Sequence, residues 1–180
     1  SRPRTLCAPA QKNKEPKPAN RRSHLACYGL RVGRPFARRT VVISNQLQPA
    51  ARLRVTAPVE LCLPAGKSAN PKATPRPAQD LDHFECYKAT PMGGALKPRR
   101  VLLRDQFGRG RRVVAAPREL CNPVSKNRGA VLSPTEHLVC YAFRRPKAVR
   151  PRRVAVVDQF SSWRFTVSRP RSLCVPSVKF

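Results

Sequence analysis

The sequence predicts an all-β protein, a tandem array of about three small β units that are stapled by disulfides and joined by Pro/Lys-rich linkers. The 180 residues include 20 prolines and 8 glycines, and no window keeps the 3.6-residue apolar period of a helix, whereas short valine-rich runs recur. Three motifs return in the same order along the chain, and each copy carries two cysteines at equivalent places.

The first motif of each copy is His-x-x-Cys-Tyr. It occurs as HLACY at 24–28, HFECY at 83–87 and HLVCY at 137–141, and these segments contain every histidine and tyrosine of the chain. The alternation predicts a strand with the cysteine on one face and the histidine and tyrosine on the other.

Two apolar runs follow each HxxCY motif. The first begins with an arginine pair and ends in a polar doublet, as in RRTVVISNQL (38–47), RRVLLRDQF (99–107) and RRVAVVDQF (152–160). The second closes on PxxLCxP, as in LRVTAPVELCLP (53–64), RVVAAPRELCNP (112–123) and FTVSRPRSLCVP (165–176). The two runs predict a hairpin with its turn at 48–50, 108–110 or 161–163, so each unit has three predicted strands.

The period places the boundaries of the units. The LC cysteines lie at 7, 62, 121 and 174, and SRPRTLCAP at the start of the chain nearly duplicates SRPRSLCVP at 168–176. We therefore expect a processed product or a segment of a longer repeat protein. Residues 1–12 would be the tail of a preceding repeat, followed by repeats at 13–66, 67–126 and 127–180. Units of about 55 residues need staples or neighbours, because they cannot build a generous core.

This order of HxxCY, V-x-V-x-DQF and PxxLCxP, with Lys/Pro/Asn-rich linkers, resembles a cysteine-containing repeat domain of unknown function. That domain occurs in tandem in predicted secreted proteins of environmental bacteria. The resemblance covers nearly the whole chain and implies an extracellular or cell-surface location and a β-rich tandem architecture, without a mechanism. The first unit departs from the pattern, with Asn45 and Leu47 where the others carry Asp and Phe.

The cysteines predict a disulfide framework in an oxidising compartment. They are Cys7, Cys27, Cys62, Cys86, Cys121, Cys140 and Cys174. Pairing within units would leave Cys7 over, whereas pairing across the linkers, as in Cys7–Cys27, would leave Cys174. We favour the linker pairing, because in a plain meander the start of the first strand and the end of the third lie at opposite ends. The leftover cysteine would bond an adjacent repeat or subunit.

A metal site is the competing interpretation of the cysteines. Zinc would take His24, Cys27 and Cys62 as ligands, yet the close Cys-x-x-Cys pairs of zinc ribbons are missing and each unit offers only three ligands. We therefore predict no metal and no cofactor.

The repeated polar residues predict structure and not catalysis. No serine recurs at a fixed position in all three units, and the first unit has Asn where the others carry a carboxylate, so we predict neither an active site nor a small-molecule substrate. The histidines and tyrosines should pack against linker and hairpin, and the doublets should satisfy turn amides. These residues are His24, Tyr28, His83, Tyr87, His137, Tyr141, Asp105, Gln106, Asp158 and Gln159.

The charge predicts polyanionic partners. Lys and Arg number 37 against 9 Asp and Glu, which gives a net charge of +28. Stacked units would turn the repeated arginine pairs into a basic ladder for acidic polysaccharide, lipopolysaccharide or extracellular nucleic acid. The pairs are Arg38, Arg39, Arg99, Arg100, Arg152 and Arg153. Aromatic residues make up only 6% of the chain, so base stacking is poorly supported, and no apolar run is long enough to span a membrane.

Two functions remain open from the sequence. The favoured one is a secreted, non-catalytic structural repeat protein, a subunit of an extracellular fibre or surface assembly that associates with neighbouring copies or repeats. The alternative is a polyanion-binding module that uses the arginine ladder.

Overall fold

The computed structural model describes residues 2–33, 35–94 and 96–180. The described residues form twelve β-strands and no helix, which confirms the predicted all-β class. The strands are β1 (Thr5–Cys7), β2 (Gln11–Lys12), β3 (His24–Gly29), β4 (Arg39–Asn45), β5 (Gln48–Ser68), β6 (His83–Met92), β7 (Arg99–Asp105), β8 (Gly108–Val124), β9 (His137–Phe143), β10 (Arg152–Val157), β11 (Ser162–Val167) and β12 (Ser172–Lys179).

Each unit consists of an opening strand, a hairpin strand and a closing strand. The opening strands β3, β6 and β9 carry the HxxCY motifs, and the hairpin strands β4, β7 and β10 begin within the arginine pairs. The closing strand is continuous in units 1 and 2, where β5 has 21 residues and β8 has 17. In unit 3 it is divided into β11 and β12, so this unit has four strands where three were predicted.

The closing strand holds the other two strands of its unit end to end along one edge. In unit 1, the first half of β5 pairs with β4 and the second half pairs with β3. A proline lies where the partner changes: Pro58 and Pro117 lie at register shifts, and Pro170 lies in the break between β11 and β12. Because proline has no N–H to donate, the ladder bulges or stops there.

Opening and closing strands alternate in a row of seven antiparallel neighbours. The order of the row is β1, β3, β5, β6, β8, β9, β12. Within unit 1, Cys27 lies opposite Cys62, and the same register recurs in units 2 and 3. Between units, Glu60 lies opposite Cys86, and this register also recurs at each step. One geometry therefore relates each unit to the next.

The ends of the closing strands of units 1 and 3, and the short strand that follows β1, reach distant hairpin strands. The end of β5 pairs with β10, and β2, which follows the closing strand β1 of the N-terminal tail, pairs with β7. The end of β12 pairs with β4. This last contact joins unit 3 to unit 1, so that hydrogen-bonded pairing runs through β4, β5, β6, β8, β9 and β12 and returns to β4.

Three apolar clusters hold these strands together. The largest draws residues from every strand of the six-membered ring and includes Leu53 and Tyr141, both at 0% exposure. The second contains the cysteines with Leu25 and Phe84. In the third, the hairpin of unit 3 packs on the opening strand of unit 1, around Tyr28. Each large side chain buried in this way contributes about 1.5–3 kcal/mol.

Candidate functional site

The disulfides join the opening and closing strands of the same unit. They are Cys27–Cys62, Cys86–Cys121 and Cys140–Cys174. The favoured linker pairing was therefore wrong, and the within-unit alternative is the one observed. The reason is topological: a unit is not a meander, because the closing strand continues past the hairpin strand and runs antiparallel to the opening strand. This places the two cysteines directly opposite each other.

The seven sulfurs nevertheless form a single row. Cys62 Sγ lies 3.8 Å from Cys86 Sγ, and the non-bonded contacts Cys7–Cys27 and Cys121–Cys140 measure 3.9 and 4.0 Å. Bonded and non-bonded sulfur pairs thus alternate across the seven strands. All seven cysteines line one cavity of about 250 Å³.

Cys7 is the free cysteine at one end of this row. Burial, reinforced by the carboxylates Glu60 and Glu119, raises the pKa of its thiol to about 12. At neutral pH the group is therefore a protonated thiol and a weak nucleophile.

Two glutamates face the same cavity. Burial raises the pKa of Glu60, and burial together with the charge of Glu60 raises the pKa of Glu119 to about 6. The positive charges of Arg4 and Arg171 partly offset this rise in the pKa of Glu60. The corresponding positions at the two ends of the row are Thr5 and Ser172, which carry no charge.

The Cys–Glu–Cys groups do not offer a metal site in this oxidised state. Glu60 lies with Cys27 and Cys62 within 4.8 Å, and Glu119 lies in the same way with Cys86 and Cys121. Their sulfurs are bonded to each other, however, and a metal would need the thiolates. The zinc interpretation also needs the His24 side chain, which is hydrogen-bonded elsewhere.

The polar doublets form the hairpin turns. The carboxylate of Asp158 accepts hydrogen bonds from the backbone N–H groups of Phe160 and Ser161, and Asp105 and Asn45 do the same in their own turns. The turns therefore lie at the doublet and the residue that follows it, two or three residues before the predicted positions. The side chain satisfies the amides that the tight turn leaves unpaired.

The histidine of one unit receives the glutamine of the next unit. The amide nitrogen of Gln106 donates to Nε2 of His24, whose Nδ1 bonds the carbonyl of Arg22. In the next pair of units, Nε2 of His83 lies 2.6 Å from the amide nitrogen of Gln159. Burial lowers the pKa of both imidazoles and so favours their neutral form, in which Nε2 can accept a hydrogen bond from the glutamine amide.

A lysine completes this contact, which we call the His–Lys socket. Lys67 bonds the side-chain oxygen of Gln106 and lies 4.9 Å from the ring centre of Phe107. Lys126 bonds Gln159 in the same way and lies 4.8 Å from the ring of Phe160. Each socket thus holds glutamine by two hydrogen bonds and the aromatic ring by a cation–π contact.

The tyrosines of units 1 and 3 each bond the hairpin of the other unit. The Tyr28 hydroxyl donates to Oδ2 of Asp158 at 2.6 Å and accepts from Trp163 Nε1 at 3.0 Å. Burial, together with the bond to Asp158, raises the pKa of Tyr28. In unit 3, the hydroxyl of Tyr141 accepts from the side-chain amide of Asn45 at 3.0 Å.

The lysines and the cavity glutamates were missed in the sequence. A signal for the lysines exists, because a lysine stands five residues after each LC cysteine. The four are Lys12, Lys67, Lys126 and Lys179. The linkers around them are rich in lysine, so this repetition does not stand out.

The arginine pairs lie at or next to the first residues of the hairpin strands, and the ladder that they would form stays a prediction. All six arginines are exposed. In the described part of the chain, the strands β4, β7 and β10 are not hydrogen-bonded to one another.

No helix long and apolar enough to cross a membrane occurs among the residues that the structure describes.

Comparisons with known proteins agree with the repeated architecture. The family described as "Repeat of unknown function (DUF7450)" matches residues 24–176. Neither the curated proteins nor the solved structures gave a match. The matched span begins at the first HxxCY histidine and ends at the last PxxLCxP proline, so the chain belongs to the DUF7450 repeat family.

Proposed function

We propose that the protein is a secreted, non-catalytic structural repeat protein that serves as a subunit of an extracellular fibre or surface assembly. The observation that carries this proposal is the use of the repeated residues. The histidines of units 1 and 2 and the tyrosines of units 1 and 3 bond residues of other units, as do Gln106, Gln159 and Asp158. Residues repeated for contact between units are typical of an array.

The non-catalytic part of the proposal is supported by the state of the candidate groups. A hydrolytic site would need an accessible nucleophile beside an imidazole that can take its proton. The Nε2 atoms of His24 and His83 are occupied by glutamine amides, and the free thiol of Cys7 is protonated at neutral pH.

Secretion is supported by the three disulfides. Disulfides persist in oxidising compartments, and small units that cannot bury a large core depend on them. Chain exported to an oxidising compartment should carry three disulfides and one thiol by mass spectrometry, whereas cytosolic chain should carry seven thiols. Exported chain with reduced cysteines would contradict the proposal.

Electron microscopy tests the assembly itself. Oxidised chain at physiological salt should form filaments or ordered sheets, and chain reduced and alkylated under the same conditions should not. Dispersed monomers at all concentrations would exclude the fibre.

A second candidate function, polyanion binding, is favoured by the unpaired surface charge. Lys12–Glu15 is the one ion pair within 4.0 Å in the described part of the chain, and the six repeated arginines are exposed. Affinity for heparin or DNA should fall steeply between 50 and 200 mM salt, on the order of 10³-fold if about six phosphates are contacted. Affinity that does not change with salt would exclude this function.

A further inference from the structure

Two contact rules connect the units. By the first, the His–Lys socket of one unit holds the glutamine and phenylalanine of the next, as seen from unit 1 to unit 2 and from unit 2 to unit 3. By the second, the tyrosine and the end of the closing strand reach the hairpin two units on. Unit 1 reaches unit 3 in this way, through Tyr28 with Asp158 and through β5 with β10. The N-terminal tail reaches unit 2 through β2 and β7.

Unit 3 follows the second rule into unit 1. Tyr141 bonds Asn45, and the end of β12 pairs with β4. Unit 1 lies two units after unit 3 only if the units form a cycle of four, in which the tail occupies the place between unit 3 and unit 1. The tail, residues 2–12, supplies the closing strand of that fourth unit as β1 and β2, but not its opening strand and hairpin.

In the described part of the chain, three polar sites lack the contacts that the two rules give to their equivalents. Each would contact the opening strand or the hairpin of the fourth unit. The first is the socket of unit 3. Among the described residues no glutamine bonds His137 there, and its buried Nδ1 also lacks the backbone partner that Nδ1 of His24 has, while Lys179 bonds Asn122. The second is Tyr87, which bonds Glu85 on its own strand and no hairpin carboxylate. The third is Asp105, which bonds turn amides and no tyrosine.

Two strand edges are also left over. Within the described residues β1 pairs with β3 alone, and residues 172–177 of β12 pair with β9 alone. Both edges line the sulfur cavity, through Cys7 on one side and Ser172 on the other. One opening strand between them would restore the alternation of the row and would bring its cysteine opposite Cys7, as Cys27 lies opposite Cys62.

We propose that this gap between β12 and β1, which we call the open side, is a docking site for the opening strand and hairpin of a further DUF7450 repeat unit, with HxxCY and DQF motifs, and that a disulfide to Cys7 seals the complex. The proposal deepens the structural role proposed above and rests on it. The incoming glutamine and phenylalanine enter the socket of His137 and Lys179. The incoming aspartate accepts from Tyr87, and the incoming tyrosine donates to Asp105.

The sealing step requires an oxidant, which is a low-molecular-weight disulfide such as oxidised glutathione. The thiolate of the incoming cysteine attacks it and releases one glutathione thiolate. Cys7, which is mainly a protonated thiol at neutral pH, loses its proton and attacks the mixed disulfide through its small thiolate fraction, which releases the second glutathione thiolate. The two protons from the protein thiols end on glutathione, so one protein disulfide forms while one glutathione disulfide becomes two thiols.

The test uses the oxidised full chain and a synthetic peptide of residues 135–167, which carries the opening strand and hairpin of unit 3. With oxidised glutathione present, non-reducing mass spectrometry should show a one-to-one adduct between the peptide's Cys140 and Cys7. A scrambled peptide with one cysteine is the matched control. Equal yields from the two peptides, or no adduct, would overturn the proposal.

Non-covalent binding gives a second readout that is independent of thiol chemistry. The Cys7→Ser chain should bind the Cys140→Ser peptide, and replacing the peptide's Gln159 by Ala should weaken binding about tenfold, the value expected for losing the socket's hydrogen bonds. Lys179→Met in the chain should have a similar effect on the affinity. An affinity that is unchanged by both substitutions would overturn the assignment of the socket.

The outcomes also separate this inference from the proposed function. Cys7-linked dimers of the chain alone that exclude the peptide would overturn the inference in favour of a second copy. Filaments without peptide docking would overturn the inference and keep the structural role. Peptide docking without filaments at any concentration would support the docking site and exclude the fibre.

Discussion

The filled and open sides of the protein carry the same residue types, but these residues make different contacts on the two sides. On the filled side, between units 1, 2 and 3, His83 is bonded by Gln159 and Tyr28 is bonded by Asp158. On the open side, around the tail, His137 keeps an unpartnered nitrogen and Tyr87 bonds its own strand. The difference shows that the opening strands keep the same register whether or not these side chains bond another unit.

The largest expected difference between the two sides lies in the cysteines. Replacing Cys86 and Cys121 together by Ser removes a staple with a sequence separation of 35 residues and should lower the free energy of unfolding by about 4 kcal/mol. Cys7→Ser should change it by less than about 0.5 kcal/mol, because no bond is lost. Urea unfolding under non-reducing conditions measures both changes in the free energy of unfolding. Equal losses would show that the cysteines of the two sides do not differ.

The second-largest difference in stability between the two sides is expected for the tyrosines. Tyr28→Phe removes a buried hydroxyl that serves both Asp158 and Trp163, and should cost about 2 kcal/mol. Tyr87→Phe removes only a hydroxyl bonded to Glu85 on the same strand, and should cost less than about 0.5 kcal/mol. A double-mutant cycle of Tyr28→Phe with Asp158→Asn should give a coupling energy near 1 kcal/mol. Additive effects in that cycle would contradict the contact.

The glutamines give a smaller, matched pair. Gln159→Ala on the filled side empties the socket of His83 and Lys126 and should cost about 1 kcal/mol of stability. Gln46→Ala should leave stability unchanged within about 0.5 kcal/mol, because in the described part of the chain no histidine or lysine of another unit holds the Gln46 side chain, as they hold that of Gln159. Thermal unfolding of the two variants measures both losses of stability. A larger loss for Gln46→Ala than for Gln159→Ala would contradict the assignment of the filled and open sides.

The smallest effect is a dependence on pH from the cavity. The pKa of Glu119 is about 6 in the folded chain against an ordinary 4.5, so the folded state holds the proton more tightly than the unfolded state. Ionisation above pH 6 therefore costs stability. Glu119→Gln should be more stable than the parent by roughly 1 kcal/mol at pH 8 after allowance for solvent screening, and the gain should fade as the pH falls through about 6 to 4.5.

The matched control for the pH profile is Ser172→Ala, which changes the corresponding position on the open side. No ionisable group is removed, so its difference from the parent should stay constant from pH 4.5 to pH 8. A gain for Glu119→Gln that stays equally constant would show that the carboxyl does not titrate as described.

Local patterns were enough to predict the all-β class, the repeat and the presence of disulfides. Alternation, proline content and recurring cysteines act over a few residues and are visible in the chain itself. The pairing of the cysteines was not predictable in this way. It depends on how far the closing strand continues past Pro58 or Pro117, and therefore on which strand lies beside its second half.

The first hairpin shows why the site could be predicted only in part. Asn45 and Leu47 read as a departure from DQF, but they suit the place where unit 1 closes the ring. The Asn45 amide donates to the hydroxyls of Tyr141 and Ser177, which a carboxylate cannot do, and Leu47 is buried in the largest core. Ser177 takes the position held by Ala65 and Val124 in the other units, a pairing that only the folded ring reveals.

The staples also set how the chain responds to mechanical load. Each one ties together residues 34 or 35 positions apart that lie directly opposite in neighbouring strands. When the two ends of the chain are pulled, the segments enclosed by these bonds cannot lengthen, and only the tail, the linkers and the short terminal run can straighten, at about 3.4 Å per residue. The load passes through the sulfur bonds and bypasses most of the polypeptide, so a tether made of such modules would stay short until those bonds break.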